Sequence, residues 1–103
     1  MLVREYIRED GSNPFKQWFD SLNYQAAAKV TVALAQLEAG NTSNVKWFSG
    51  ISEYRINWGP GYRIYMIRER DEHIVLLCGG TKKRQQRDIS KARTLAKEFR
   101  SRR

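Results

Sequence analysis

Two arginines that flank a tight turn in the middle of the chain give the first indication of chemistry. Arg55 precedes and Arg63 follows a Gly-Pro-Gly turn at residues 59–61. If this turn joins two antiparallel strands, the guanidinium groups can lie side by side, where like charges are unfavourable without an anion between them. A phosphate group would supply that anion. The spacing leaves one alternative open, a pair of exposed arginines in ordinary ion pairs with Glu53 or Glu69.

A second basic segment follows two glycines near residue 80. Residues 79–84 read Gly-Gly-Thr-Lys-Lys-Arg, so that Lys82, Lys83 and Arg84 lead directly into a helical pattern. Glycines let the backbone approach a ligand closely, and the cations after them can contact phosphate. Cations at the start of a helix also oppose its dipole, which a bound anion would relieve. Basic turns before helices are common, but this one indicates a second phosphate contact.

The net charge of +8 comes entirely from the C-terminal end. Residues 1–81 hold nine basic and nine acidic side chains, whereas residues 82–103 hold ten basic and two acidic ones. Charge concentrated in this way favours a polyanionic partner, with nucleic acid as the leading expectation. The alternative is a solvated basic helix that only keeps the protein soluble.

The residue types that are missing limit the possible chemistry. The sequence has no Cys/His cluster, so no zinc site is expected, and no glycine-rich phosphate loop that would indicate a nucleotide cofactor. The single histidine, His73, lies beside a charged stretch and is interpreted as solvent-exposed rather than catalytic. Any catalysis must therefore come from Lys, Arg, Glu, Asp or Tyr side chains.

The cysteine usage and the short apolar runs predict a cytoplasmic protein. The single cysteine, Cys78, cannot form an internal disulfide, and its apolar neighbours indicate a buried thiol in a reducing compartment. The longest apolar run, residues 74–78, is too short to span a bilayer. Neither a signal peptide nor a membrane anchor is expected.

Three helices are predicted around these segments. Asn13-Pro14 reads as an N-cap followed by proline at the first helical position, with apolar residues at helical spacing after it. A second helix is predicted over residues 25–39, closed by Gly40. The last helix is predicted over residues 85–100.

Strands are predicted between the helices, giving the order β-α-α-β-β-β-α. Residues 3–7, 53–58 and 62–67 alternate in polarity, and 74–78 reads as a central strand that ends at two glycines. Residues 69–72 form a charged turn. We therefore expect a single α+β domain over residues 1–103, with a small antiparallel-type sheet and helices on one side.

Several segments taken together match a known family pattern. They are Asn13-Pro14-Phe15 with Trp18, Ala28-Lys29-Val30 with Leu34, Gly40-Asn41, Glu53-Tyr54-Arg55-Ile56, Trp58-Gly59-Pro60-Gly61-Tyr62-Arg63, Leu76-Leu77-Cys78-Gly79-Gly80 with Lys82 and Gln86, and Asp88-Ile89 with Ala92. Over nearly its whole length the chain resembles the RelE/ParE superfamily of type II toxins. The nearest branch is that of the addiction-module killer proteins, related to HigB-type toxins.

The resemblance implies a RelE-like fold and a toxin held inactive by a cognate antitoxin protein, which can carry the complex to operator DNA. It implies an mRNA endonuclease acting on the ribosome, in which a 2′-hydroxyl attacks the adjacent phosphate and leaves a 2′,3′-cyclic phosphate. Such a reaction needs a base, an acid and cations for the developing charge. No cofactor or metal is implied.

The resemblance also assigns roles to residues. Arg63 matches the arginine expected to stabilise the transition state, and Arg55 would orient the phosphate. Lys82 and Lys83 match the basic segment after the last strand, where one would act as general base or acid. The remaining two, Arg84 and Arg87, would contact RNA phosphates. We expect Arg63→Ala to abolish toxicity with fold and antitoxin binding intact.

One departure from the family leaves the general acid open. Relatives often carry a tyrosine or histidine near the C-terminal helix, but this chain has no tyrosine after Tyr65 and no histidine after His73. Asp88 is a possible proton carrier, or simply a residue favoured at a helix start by the dipole. The alternative function is a non-enzymatic toxin of the ParE type that inhibits DNA gyrase. A third option is a degenerate module that acts only with its antitoxin at operator DNA.

Overall fold

The computed structural model describes residues 1–70 and 72–102. Asp71, which belongs to the charged turn predicted at 69–72, and Arg103 lie outside the described residues. The described part of the chain forms five strands and three helices, with a short 3₁₀ turn over Lys82–Arg84 before the last helix. Their bounds are β1 Leu2–Glu5, α1 Pro14–Asp20, α2 Tyr24–Glu38, β2 Val45–Trp47, β3 Ser52–Ile56, β4 Tyr62–Arg70, β5 His73–Thr81 and α3 Gln85–Ser101.

The five strands form one mixed sheet in the order β1-β5-β4-β3-β2. The α+β class is confirmed, but the antiparallel-type sheet is a partial correction, because β1 pairs with β5 in parallel. The chain leaves β1 through two helices and three other strands before β5 returns beside it, which allows the parallel pairing. The other neighbouring strands are antiparallel.

Strand β2 is absent from the predicted order, which was wrong by one strand. Its three residues pair with β3 in the register Val45↔Tyr54 and Trp47↔Ser52. A strand of three residues at a sheet edge shows too little alternation to be recognised in sequence. The observed order is therefore β-α-α-β-β-β-β-α.

Helices cover both faces of the sheet, so the prediction of helices on one side was wrong. The alternation of β4 explains the arrangement, since successive side chains point to opposite faces. Ile64 and Met66 lie in a core with α1 and α2, whereas Tyr65 and Ile67 lie in a second core with α3. Strand β5 is buried on both faces, as predicted for a central strand.

The predicted helix starts are confirmed by their caps. The Asn13 side chain accepts a hydrogen bond from the Lys16 amide, and Pro14 is the first residue of α1. Asn23 caps α2 in the same way through the Ala26 amide. Each cap satisfies a backbone donor that the helix itself leaves free.

The predicted central strand is longer than expected. The strand runs to Thr81, three residues past Cys78, and the two glycines lie within it rather than at its end. The predicted hairpin over 53–67 is present, and Gly59 and Gly61 take positive φ values of 58° and 77° at its turn. None of the helices in the described residues is long and apolar enough to cross a membrane.

Candidate functional site

The structure brings Arg55 and Arg63 directly opposite each other, as the hairpin predicted. They are cross-strand partners in the β3–β4 register. The carboxylate of Glu53 contacts both, since its Oε1 accepts from Arg55 Nε at 2.7 Å and lies 3.4 Å from an Arg63 terminal nitrogen. The ion-pair alternative is thus correct as to Glu53, whereas Arg4 forms the ion pair with Glu69.

Glu53 is the centre of this cluster and is fully buried, with 0% of its surface exposed. The first residue of α3, Gln85, donates from Nε2 to Glu53 Oε2 at 2.9 Å. Burial alone would raise the pKa of this carboxyl, but the hydrogen bonds from Arg55 and Gln85 outweigh burial and lower the pKa below its usual value. Glu53 is therefore a buried anion that aligns cations.

Burial separates the two arginines in what they can contact. The Arg63 side chain is only 8% exposed, and its Nε has no hydrogen-bond partner among the described residues. The Arg55 side chain is 37% exposed. A ligand on the protein surface therefore meets Arg55 first, and Arg63 lies beneath it.

The four other predicted site residues surround the start of α3 and are all exposed. They are Lys82, Lys83, Arg84 and Arg87. The amide of Lys82 donates to Gly61 O at 2.8 Å, which fixes the start of the basic segment against the hairpin turn. The predicted basic surface is therefore continuous from the hairpin to α3. We call Arg55, Lys82, Lys83, Arg84 and Arg87 the basic surface.

The two glycines before this segment make room for the protein's own side chains, so the expectation that they admit a ligand was wrong. A Cβ at Gly79 would overlap the indole ring of Trp18 from α1. A Cβ at Gly80 would overlap the carboxylate of Asp88 from α3. The pair of glycines therefore lets helices on opposite faces approach the same strand.

Asp88 is buried, with 6% of its surface exposed, and its Oδ2 has no partner among the described residues. Burial raises the pKa of this carboxyl, and the charges of Arg87 and Lys91 offset only part of that effect. Asp88 lines a groove of about 390 Å³. We call it the edge groove; its lining residues are Pro14, Gln17, Trp18, Gly79, Gly80, Thr81, Arg84, Arg87, Asp88 and Lys91.

Part of the basic C-terminal helix has a structural role that the sequence did not indicate. Arg93 donates to Ser49 O and Arg100 to Gly50 O, each at 2.6 Å, so both hold the turn between β2 and β3. Arg102 contacts the Tyr6 hydroxyl. These three cations are not as open to a polyanion as charge counting implies.

Aromatic residues near the hairpin turn were also missed as site components. Trp58 stacks on Tyr62 with ring centroids 6.2 Å apart, and the Lys29 ammonium lies 5.5 Å from the Trp58 ring centroid. Their spacing in the sequence gave no signal, because the stack depends on the turn geometry. Neither residue contacts Glu53.

The histidine and the cysteine lie away from the basic surface. His73 is the first residue of β5 and is partly buried rather than fully exposed, so that expectation was wrong in degree. Cys78 is buried as predicted, and burial raises the pKa of its thiol to about 12, which makes it unreactive. Among residues 1–70 and 72–102, no group of three His, Cys, Asp or Glu side chains could hold a metal ion.

The fold and the basic surface thus define a small α+β protein with a nucleic-acid-compatible face. The chain is 40% identical over 87 residues to an uncharacterized protein of Haemophilus influenzae. The similar region covers 82% of this chain and 88% of that protein, and the chain belongs to the same protein family. No known family model matches the chain.

Proposed function

We propose that the protein is the toxin of a type II toxin-antitoxin pair in the RelE/ParE superfamily and a ribosome-dependent mRNA endonuclease. The observation that carries the proposal is the pairing of Arg55 with Arg63 over a buried carboxylate, beside the basic segment that starts at Lys82. The α+β class and the sequence motifs support the same assignment. In this interpretation the element order is RelE-like with one added edge strand, β2.

The reaction proposed is attack of a ribose 2′-hydroxyl on the adjacent phosphate, which releases the 5′-oxygen and leaves a cyclic phosphate. Arg55 binds the phosphate, because it is the more exposed of the two arginines. Arg63 adds positive charge beneath it, where a low dielectric strengthens the attraction to the transition state. Glu53 is a positioning residue, because its buried carboxylate contacts both arginines and not the substrate.

Proton transfer is assigned to Lys82 or Lys83, which are exposed at the edge of the same surface. Arg84 and Arg87 bind neighbouring phosphates of the strand. The chain offers no histidine here, so correct placement of the 2′-hydroxyl by the ribosome supplies much of the rate, through orientation of the reacting groups. We propose that the cognate antitoxin inhibits by covering this surface with an acidic segment.

The burial of Arg63 changes the experiment that tests this function. Arg63→Ala removes a buried partner of Glu53, so a loss of toxicity in that variant would be ambiguous with unfolding. Arg55→Ala is cleaner, because the side chain is partly exposed and Glu53 keeps Gln85 as a donor.

We expect Arg55→Ala to reduce mRNA cleavage in cells roughly 100-fold, the usual effect of losing one transition-state donor. Mapping of mRNA 5′ ends after induction measures this, with cuts expected inside translated codons for the wild-type protein. Lys16→Ala is the matched control, since Lys16 is an exposed cation on α1 that only pairs with Asp20. Equal cleavage by Arg55→Ala and wild type would refute the assignment.

One observation favours the gyrase-inhibitor alternative, namely that the arginine matched to catalysis is 8% exposed. A protein that only binds gyrase needs no accessible catalytic arginine. Intact mRNA together with induced DNA damage in the same cells would support this alternative and exclude the nuclease.

A further inference from the structure

The edge groove lies where β5 extends beyond its neighbour. Strand β1 ends at Glu5, opposite Leu76, and the last backbone hydrogen bond to this edge runs from Tyr6 N to Leu76 O. The following residues of β5 therefore have a strand on only one side. The groove beside them is large enough, at about 390 Å³, for one nucleotide.

Asp88 is the feature of this groove that the fold does not explain. The carboxylate is 94% buried, and no cation among the described residues forms an ion pair with it, although Arg84, Arg87 and Lys91 line the same groove. A buried acceptor without a partner costs about 1–3 kcal/mol in typical proteins. Asparagine would fit the same space without a charge, so the carboxylate calls for a ligand with hydrogen-bond donors.

The lining of the groove restricts that ligand. Arg84, Arg87 and Lys91 are exposed and favour a phosphate, while Asp88 accepts hydrogen bonds and donates none when ionised. The indole of Trp18 adds an aromatic surface in the same wall. Phosphate, aromatic contact and N–H donors together describe a nucleotide within a single strand.

Among the bases, guanine fits a carboxylate best. Its Watson–Crick edge presents two adjacent N–H donors, N1–H and the 2-amino group, which match the two carboxylate oxygens. Adenine and cytosine present one donor beside an acceptor, which a carboxylate repels. Uracil presents one donor between two acceptors.

We propose that the edge groove binds one guanine nucleotide of a single-stranded RNA, with Asp88 as the residue that selects the base. Arg84, Arg87 and Lys91 hold the flanking phosphates. This selectivity rests on the proposed function only for its biological setting, since it specifies which base of the cleaved strand the protein reads. The binding itself requires neither the ribosome nor cleavage.

The test is the affinity of the isolated full-length protein for short uridine-tract RNAs that carry one central guanosine, inosine or adenosine, measured by fluorescence anisotropy. The expected order is guanosine, then inosine, then adenosine, because inosine lacks the 2-amino group. The difference between guanosine and adenosine is expected to be roughly tenfold. Equal affinity for the three RNAs, or no measurable binding to any of them, overturns the proposal.

Two variants separate base selection from general affinity. Asp88→Asn is expected to remove the preference for guanosine, whereas Arg87→Ala is expected to weaken all three RNAs by a similar factor. Asp20→Asn, an exposed carboxylate on α1, is the matched control and should change neither. A guanosine preference that survives in a folded Asp88→Asn variant also overturns the proposal, and the wild-type comparison stands if that variant does not fold.

Failure of this proposal and failure of the proposed function are distinguishable. If mRNA stays intact in cells while the purified protein prefers guanosine through Asp88, the nuclease assignment fails and the groove remains a nucleotide site. If mRNA is cut but the three RNAs bind equally, the nuclease stands and the selectivity of Asp88 is wrong.

Discussion

At the scale of single residues, the protein holds two buried carboxylates in opposite situations. Glu53 accepts hydrogen bonds from Arg55 and Gln85 and has a lowered pKa, whereas Asp88 has an unpartnered oxygen and a raised pKa. Both lie on the side of the sheet that α3 covers. The first contributes to stability as an anion, and the second is tolerated at a cost, which is the pattern expected when a group is kept for binding.

We predict that Glu53→Gln lowers the free energy of unfolding by about 3 kcal/mol at neutral pH, because it leaves the buried Arg63 without its ionic partner. Chemical denaturation at equilibrium measures the change. Asp20→Asn, which breaks the exposed Lys16–Asp20 pair, should change stability by about 0.5 kcal/mol or less. A Glu53→Gln effect as small as that of the control would show that the cluster adds no stability.

The same pair predicts a pH dependence with a definite sign. The folded-state pKa of Glu53 is lowered, so its ionised form stabilises the protein above the unfolded-state pKa of about 4.3. This contribution is lost as the pH falls through the lower, folded-state pKa. The difference between wild type and Glu53→Gln should therefore be largest near neutrality and shrink in acid. A difference that grows in acid would contradict the assignment.

At the scale of elements, Gly79 and Gly80 decide how helices meet β5. The indole of Trp18 occupies the space over Gly79 on one face, and the carboxylate of Asp88 occupies that over Gly80 on the other. The backbone of β5 is thus the point where α1 and α3 come closest to the same strand. Neither glycine has a positive φ, so space and not conformational freedom requires them.

We predict that Gly80→Ala destabilises the protein by about 2 kcal/mol, because its Cβ would overlap the Asp88 carboxylate and force α3 away from the sheet. The cost should fall by more than half when Gly80→Ala is combined with Asp88→Ala, which removes the overlapping group. A double-mutant cycle from thermal or denaturant unfolding measures this coupling. Additive effects of the two substitutions would place the strain elsewhere.

The elements that could be predicted from the sequence are those with local signals. The cap at Asn13 and the Gly-Pro-Gly turn each lie within a few residues of what they control, and the alternation around the turn was enough to place Arg55 opposite Arg63. The strand β2 gave no such signal, because three residues at an edge are stabilised by pairing with β3 rather than by their own pattern.

The candidate site was predicted only in part, for a related reason. The face of each arginine follows from period two along a strand, but the burial of Arg63 follows from where α3 lies. Gln85 and Glu53 are 32 residues apart, and their contact exists because α3 crosses the same face of the sheet. The sequence pattern of α3 shows which side is apolar and does not show which face of the sheet receives it, so the burial of Asp88 was also missed.

At the scale of the whole molecule, the charge asymmetry becomes an asymmetry of pairing. The ion pairs of the described residues involve four cations of the N-terminal part of the chain that is neutral overall, Arg4, Lys16, Arg55 and Arg63, and Arg8, which pairs with Glu98. At the basic end, Arg93 and Arg100 hold the β2–β3 turn. Six exposed cations there form no hydrogen bond or ion pair with the described residues: Lys82, Lys83, Arg84, Arg87, Lys91 and Lys97.

This division predicts which cations give RNA binding its salt dependence. Each phosphate neutralised on a single strand contributes about −0.7 to the slope of log affinity against log salt concentration. Arg84→Ala and Arg87→Ala should each reduce the magnitude of that slope by about 0.7 because both side chains lie on the basic surface and line the edge groove. Arg93→Ala should leave the slope unchanged and lower stability instead, because this guanidinium already donates to Ser49 O at 2.6 Å. Titration of one uridine-tract RNA at several potassium chloride concentrations, with unfolding measured in parallel, separates the two effects. Equal loss of slope in all three variants would mean that the polyanion binds the whole basic helix rather than the start of α3, and the RNA path proposed over the hairpin and the edge groove would then be wrong.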